Sequence, residues 1–256
     1  MHRYTQSRTH HFFAFAVAIA MSLGSASVFA GSWFGSETVR GNGIVMKQER
    51  TVGAFKGVEL QMAADVEVRQ GTGDSVSIET DENLLALVES SVTEGTLVLR
   101  PVRKNLRLAG RTLKIIVTAR EIRQLGVSGT GTLTSAALKS PRLQLEIAGA
   151  GIIDLKQVQT DALEASIGGS GTIKVAGAAR KFTVEIAGSG DVQAQQLKSD
   201  EAEVSIAGSG NARLWPMSAL SASIAGSGDV EYYGDPKMSS KIAGSGSIKR
   251  VGATPQ

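Results

Sequence analysis

The sequence contains no cysteine, and its only three histidines are His2, His10 and His11. Everything downstream of these residues therefore lacks both thiol and imidazole groups. This absence excludes Cys-His and Ser-His-Asp nucleophiles, disulfides and the common zinc sites from that part of the chain. We predict no catalytic residue, no metal ligand and no cofactor.

The first 30 residues have the organisation of a secretory signal peptide. Arg3 and Arg8 precede an uncharged apolar run over 12–23, and small residues lead to Ala30. The run is too short to cross a bilayer as a helix, and no later segment is apolar enough, so we do not expect a membrane-spanning protein. We expect cleavage after Ala30 and export to the periplasm, the cell envelope or the extracellular space.

The chain also has almost no excess of charge of either sign, and few aromatic residues. Without the signal peptide, 25 basic residues face 24 acidic ones, so nucleic acid is not an expected partner. Aromatic residues make up only 5% of the chain. The main candidates for a sugar-stacking surface are Trp33, Phe34, Trp215, Tyr232 and Tyr233, although Tyr232 occupies a position that the repeat pattern directs into the core.

Glycine, in contrast, is abundant and regularly spaced: seven Gly-X-Gly tripeptides recur at steps of 18 to 20 residues. Apolar residues alternate with polar ones on both sides of each tripeptide, which indicates strand, corner and strand in every repeat. Such corners require either a left-handed backbone or close approach of stacked backbones, and both explanations remain open. The predicted structural corners are Gly129, Gly131, Gly149, Gly151, Gly169, Gly171, Gly188, Gly190, Gly208, Gly210, Gly226, Gly228, Gly244 and Gly246.

These repeats predict an all-β fold, a single-stranded β-helix (β-solenoid) with about 18–20 residues per coil and an N-terminal β-rich cap region. We expect a right-handed helix from the general rule for parallel crossovers, although steps of 18 also fit left-handed hexapeptide helices. The expected organisation is a flexible leader over 31–50, a β region over 51–128, the repeats over 129–250 and a tail over 251–256. The β region is predicted to hold one short helix within 81–90 and strands over 58–62, 66–70, 76–80, 97–102 and 113–118.

The most pronounced charge feature is a basic segment without any acidic residue. On an exported protein it could bind the phosphates of lipopolysaccharide or an acidic glycan through bidentate arginine contacts. The alternative, which we favour from the sequence, is a solvated loop beside Pro101. The candidate polyanion-binding residues are Arg100, Arg103, Lys104, Arg107, Arg111 and Lys114.

A second candidate feature follows the glycine corners. Asp191, Asn211 and Asp229 take the same place in successive repeats, which indicates either a calcium ladder or polar capping of the corners. We favour capping, because Ile152 and Thr172 take that place in other repeats and calcium β-rolls have a shorter period.

The N-terminal β region and the repeats together resemble a known family. Residues 54–58 (Ala-Phe-Lys-Gly-Val), 65–71, 83–85 and 95–97 precede a series of Ile-Ala-Gly-Ser-Gly repeats. This combination, over roughly residues 51–250, resembles the bacterial domain called putative auto-transporter adhesin, head GIN domain. The resemblance implies an exported single-stranded β-helix, with adhesion proposed from its shape, and it implies no catalytic residues.

Three functions remain open. We favour a non-catalytic module for adhesion or for interaction with a glycan, lipopolysaccharide or envelope protein, because a long regular surface suits extended partners. The alternative is a polysaccharide lyase or hydrolase, since β-helices host such enzymes. Its carboxylates should gather on one face, whereas the outward column that runs from Asp154 through Arg213 to Lys249 mixes signs. The third is a structural, self-assembling envelope protein and hence a homo-oligomer, in which the exposed end of the stack recruits another copy.

Overall fold

Nineteen β-strands and one short helix make up residues 37–255, the part of the chain that the computed structural model describes. The predicted signal peptide lies outside these residues. None of the helical structure in this range is long and apolar enough to cross a bilayer. The elements are β1 (Glu37–Arg40), β2 (Val45–Arg50), β3 (Gly57–Leu60), β4 (Asp65–Gln70), β5 (Ser75–Asp81), α1 (Glu82–Leu85), β6 (Val88–Thr93), β7 (Thr96–Pro101), β8 (Leu106–Ala109), β9 (Leu113–Ala119), β10 (Gln124–Gly129), β11 (Thr132–Ser135), β12 (Leu138–Gly149), β13 (Ile152–Gly169), β14 (Thr172–Gly188), β15 (Asp191–Gly208), β16 (Asn211–Gly226), β17 (Asp229–Tyr233), β18 (Lys237–Gly244) and β19 (Ser247–Gly252).

The repeats stack as parallel coils, and equivalent residues of successive repeats are direct neighbours. The isoleucine that lies two residues before each corner shows the result. Ile147, Ile167, Ile186, Ile206 and Ile224 follow one another through the core, and each is at most 2% exposed. A fully buried aliphatic side chain contributes roughly 1.5–3 kcal/mol, so this column is a main source of stability. The predicted β-solenoid is confirmed.

The two glycines of each corner are required for different reasons. The first glycine has a left-handed backbone: φ of Gly188 is +126°, and a Cβ there would lie 2.5 Å from the carbonyl oxygen of Gly169 in the preceding coil. The second glycine packs against the core, since a Cβ on Gly190 would lie 2.5 Å from Cγ2 of Ile167. The first glycine therefore combines the left-handed backbone and the close approach of stacked backbones that the sequence left open as alternatives.

The spatial order of the N-terminal coils differs from their order in the sequence. Strand β3 lies between β7 and β10, and β4 lies between β9 and β11, with all four pairings parallel. Strands β3 and β4, the first of these six in the sequence, therefore form an inner coil. Strands β7 and β9 form the end coil on one side of it, and β10 and β11 continue the stack on the other side. The five strands predicted in this region are confirmed to within a few residues.

Antiparallel strands cover the N-terminal end of the stack. Strands β5 and β2 extend one sheet beyond β9, and β6 extends another beyond β7. The Arg50 guanidinium joins the two edges, because it donates hydrogen bonds to the carbonyl oxygens of Val88 (2.6 Å) and Leu85 (2.7 Å). The structure thus differs from the flexible leader expected over 31–50: residues 37–50 contain β1 and β2, and residues 31–36 lie outside the described range.

Candidate ligand-binding groove

The loop between β7 and β9 is the largest departure from the regular coil. Regular corners contain two residues, whereas the chain here runs outward over residues 102–112 before it rejoins the stack at Leu113. Within this loop, β8 pairs in parallel with β1 to form a separate two-stranded sheet, and Leu106 lies opposite Glu37. We call residues 102–112 the arm.

Local features hold the arm in place. Asn105 adopts a left-handed φ of +63°, a conformation that asparagine tolerates better than most side chains, and the amide of Leu106 donates to the carbonyl oxygen of Arg103. The Leu106 side chain is only 6% exposed and anchors the turn. The arm is therefore an ordered loop with a defined backbone conformation.

A groove of about 930 Å³ lies between the arm and two neighbouring corners of the stack. The depressions on the regular coil faces are smaller, at about 150–560 Å³. Apolar side chains of the groove come from the arm, from a corner and from the end of β7: they are Met62, Ala63, Pro101, Leu106, Leu108 and Ala109. Its cationic side chains are Arg100, Arg103, Lys104 and Arg107.

Two of the four cations are neutralised by neighbouring carboxylates. Arg100 binds Glu89 through two hydrogen bonds of 2.9 and 3.1 Å, and these bonds lower the pKa of the Glu89 carboxyl and raise that of the Arg100 guanidinium. Arg103 lies 3.1 Å from a carboxylate oxygen of Glu37.

The other two cations, Lys104 and Arg107, form no ion pair with any residue in the 37–255 range. Both side chains are exposed. They are consequently the charges of the groove that are available to a ligand.

The structure divides the basic segment that the sequence predicted. Arg111 and Lys114 do not line the groove: the backbone amide of Arg111 donates to Asp81, and Lys114 lies on β9 between Asp65 and Glu79 of the flanking strands. Sequence reasoning missed the apolar side of the groove. Met62 comes from the corner between β3 and β4, and only the folded order of the coils brings it to the arm.

The polar residues after the corners bind one another across coils. The side-chain amide of Asn211 donates a hydrogen bond of 2.9 Å to the Asp191 carboxylate. The backbone amide of Ser247 donates one of 2.9 Å to the Asp229 carboxylate. These hydrogen bonds are the polar capping that the sequence favoured over a calcium ladder. Across residues 37–255, no three histidine, aspartate or glutamate side chains converge as potential metal ligands.

The aromatic candidates do not form a comparable site. Tyr232 is partly buried and packs against the core, as its phase predicted. Lys198 Nζ lies 6.0 Å from the ring centroid of Trp215 and covers it in part. Trp33 and Phe34 lie outside the described residues.

Several solved structures have a similar fold. A protein from Parabacteroides distasonis ATCC 8503 named a putative lipid binding protein is 29% identical, with a TM-score of 0.72, and the match covers 84% of this chain and 100% of that one. A putative adhesin from Bacteroides fragilis NCTC 9343 is 23% identical, with a TM-score of 0.77 and coverage of 83% and 100%. A putative adhesin from Parabacteroides merdae ATCC 43184 is 23% identical, with a TM-score of 0.67 and coverage of 84% and 99%.

No curated protein matches the chain. The sequence model of one family matches residues 54–236, which include the inner coils, the arm and most of the repeats. The same segments carried the resemblance in the sequence, and the fold of the solved relatives agrees with it. The chain belongs to the family described as putative auto-transporter adhesin, head GIN domain.

Proposed function

We propose that this protein is an exported, non-catalytic adhesive module that binds an anionic amphiphile of a cell envelope in the groove beneath the arm. A phosphorylated lipid such as that of lipopolysaccharide has the required chemistry. The observation that carries the proposal is the juxtaposition of two unpaired cations, Lys104 and Arg107, with an apolar surface that includes Ala63, Leu108 and Ala109.

Each part of such a ligand has a counterpart in the groove. A guanidinium can hold a phosphate through two parallel hydrogen bonds, and an ammonium adds a compact positive charge. Apolar lining favours an acyl chain, because burial of each methylene contributes about 0.8 kcal/mol. The name of the relative that is 29% identical, a putative lipid binding protein, supports this ligand class.

The composition of the groove also favours binding over catalysis. Glycoside hydrolysis uses two carboxyl groups beside the scissile bond. The side chains that line the groove include no carboxylate, and the nearby Glu37 and Glu89 are engaged by Arg103 and Arg100. The polysaccharide lyase or hydrolase considered from the sequence is therefore the weaker proposal.

Vesicle binding by residues 31–256 tests the proposal. We expect binding to vesicles that contain an anionic phospholipid and little binding to phosphatidylcholine alone. Lys104→Ala combined with Arg107→Ala should weaken binding by about a hundredfold, since a hydrogen bond to a charged group contributes roughly 1.5–3 kcal/mol.

The matched control is Arg142→Ala combined with Lys174→Ala, which removes the same charge from the exposed coil faces. This variant should bind like the unchanged protein. Equal weakening of both double variants would mean that net charge rather than the groove attracts the vesicle, and would overturn the proposal.

A further inference from the structure

The two ends of the solenoid are finished differently. The N-terminal end carries the antiparallel strands β2, β5 and β6, whereas β18 and β19 form the last coil at the other end. Strand β18 pairs with β16 on one side, and within residues 37–255 its other side has no neighbouring strand. Unpaired amide and carbonyl groups along such an edge can pair with an added strand.

The core column is uncovered at the same edge. Ile224 is 1% exposed, but Ile242, its direct neighbour on β18, is 43% exposed. Met238 on β18 and Val251 on β19 are 41% and 38% exposed. Because Met238 and Ile242 occupy positions that every preceding coil buries, one further strand across β18 would complete the core.

The charges of the last coil indicate the chemistry of the strand that fits. Strands β18 and β19 carry Lys237, Lys241, Lys249 and Arg250 and contain no acidic residue. Arg250 donates to the carbonyl oxygen of Gly234, whereas the three lysines form no ion pair among residues 37–255. A second copy of the same end would bring lysine against lysine, and directly opposed like charges destabilise paired strands.

We infer that the β18 edge is a docking site for an extended acidic segment of a partner protein, in which apolar residues alternate with aspartate or glutamate. The segment adds as a strand to β18, with its apolar side chains over Met238 and Ile242 and its carboxylates beside Lys237 and Lys241. The eight residues of β18 set the length of the bound segment. The site is separate from the groove and does not depend on the ligand proposed there.

Calorimetric titration with a designed peptide tests the inference. The probe is an eight-residue peptide that alternates valine and glutamate, and its counterpart alternates valine and lysine. We expect residues 31–256 to bind the glutamate peptide and not the lysine peptide. Lys237→Glu combined with Lys241→Glu should weaken binding of the glutamate peptide at least about tenfold and create binding of the lysine peptide.

Two controls keep the test specific. Arg142→Glu combined with Lys174→Glu makes the same charge change on other faces and should leave peptide binding unchanged, as should the groove variant with Lys104→Ala and Arg107→Ala. Failure to bind the glutamate peptide, or equal losses in the two charge-reversal variants, would overturn the inference. A third result would also overturn the inference: the protein associates with itself, Lys237→Glu with Lys241→Glu changes that association, and no peptide binds. The strand that pairs with β18 would then belong to a second copy of this protein.

Discussion

Replacement of Gly188 by valine is expected to destabilise the protein by about 3 kcal/mol or more. Valine would have to adopt a φ of +126°, which β-branched residues avoid, and its Cβ would lie 2.5 Å from the carbonyl oxygen of Gly169. Neither the backbone of the preceding coil nor that of the following coil can move without breaking the ladder. Chemical denaturation of the purified protein measures the loss.

A series of substitutions separates the cost of the left-handed φ from the cost of overlap with the neighbouring backbone. Gly129 also has a left-handed φ, of +129°, but a Cβ there would meet nothing within 4 Å. We therefore expect Gly129→Ala to cost less than Gly188→Ala, because only the second substitution adds overlap between backbones. Gln193→Ala, on the face beside the corner, should change stability by no more than about 0.5 kcal/mol. Equal midpoints for Gly188→Val and Gln193→Ala would contradict the account of the corners.

The second large effect is expected for Asp81→Ala, at about 3 kcal/mol. The Asp81 carboxylate is fully buried and accepts hydrogen bonds from the backbone amides of Gly43 (2.6 Å) and Arg111 (2.9 Å). Removal of the carboxylate breaks both hydrogen bonds, and a hydrogen bond to a charged group contributes roughly 1.5–3 kcal/mol. It also frees the loop before β2 from the loop before β9, so the N-terminal cap should loosen.

Hydrogen exchange checks this prediction at the residues concerned. In Asp81→Ala we expect faster exchange of the Gly43 and Arg111 amides, together with a lower unfolding midpoint in urea. The stability of Asp81→Asn should lie between that of the unchanged protein and that of Asp81→Ala. The asparagine side chain keeps one acceptor oxygen but turns its NH₂ group towards the second backbone amide. Glu82→Ala, on the exposed neighbour, is the control and should have little effect. Unchanged exchange in Asp81→Ala would show that the carboxylate does not hold the cap.

The repeat region could be predicted from the sequence because one pattern determines it. Alternation around Glu185 places Val184 and Ile186 inside, and the glycines at a constant phase fix the register between coils. The N-terminal order could not be predicted in this way. Strands β3 and β7 have the same local alternation of apolar and polar residues, and this alternation does not indicate that β3 lies between β7 and β10.

The missed elements have physical explanations as well. Strand β2 has five exposed residues out of six, so it carries no core-facing alternation from which a strand could be inferred. The sequence indicated the cationic residues of the groove but not the groove itself. Lys104 and Arg107 are neighbours in one basic segment, whereas Met62 belongs to a distant corner whose position depends on the order of the coils.

Titration with alkyl phosphates tests the central claim most directly. We predict that octyl phosphate binds residues 31–256 far more tightly than inorganic phosphate, with a gain of up to about fourfold in affinity per methylene buried in the groove. Octyl glucoside, which lacks the phosphate, should bind weakly, and Lys104→Ala with Arg107→Ala should remove most of the affinity for octyl phosphate. Equal affinity for octyl and inorganic phosphate, or undiminished binding by that variant, would contradict an amphiphile site beneath the arm.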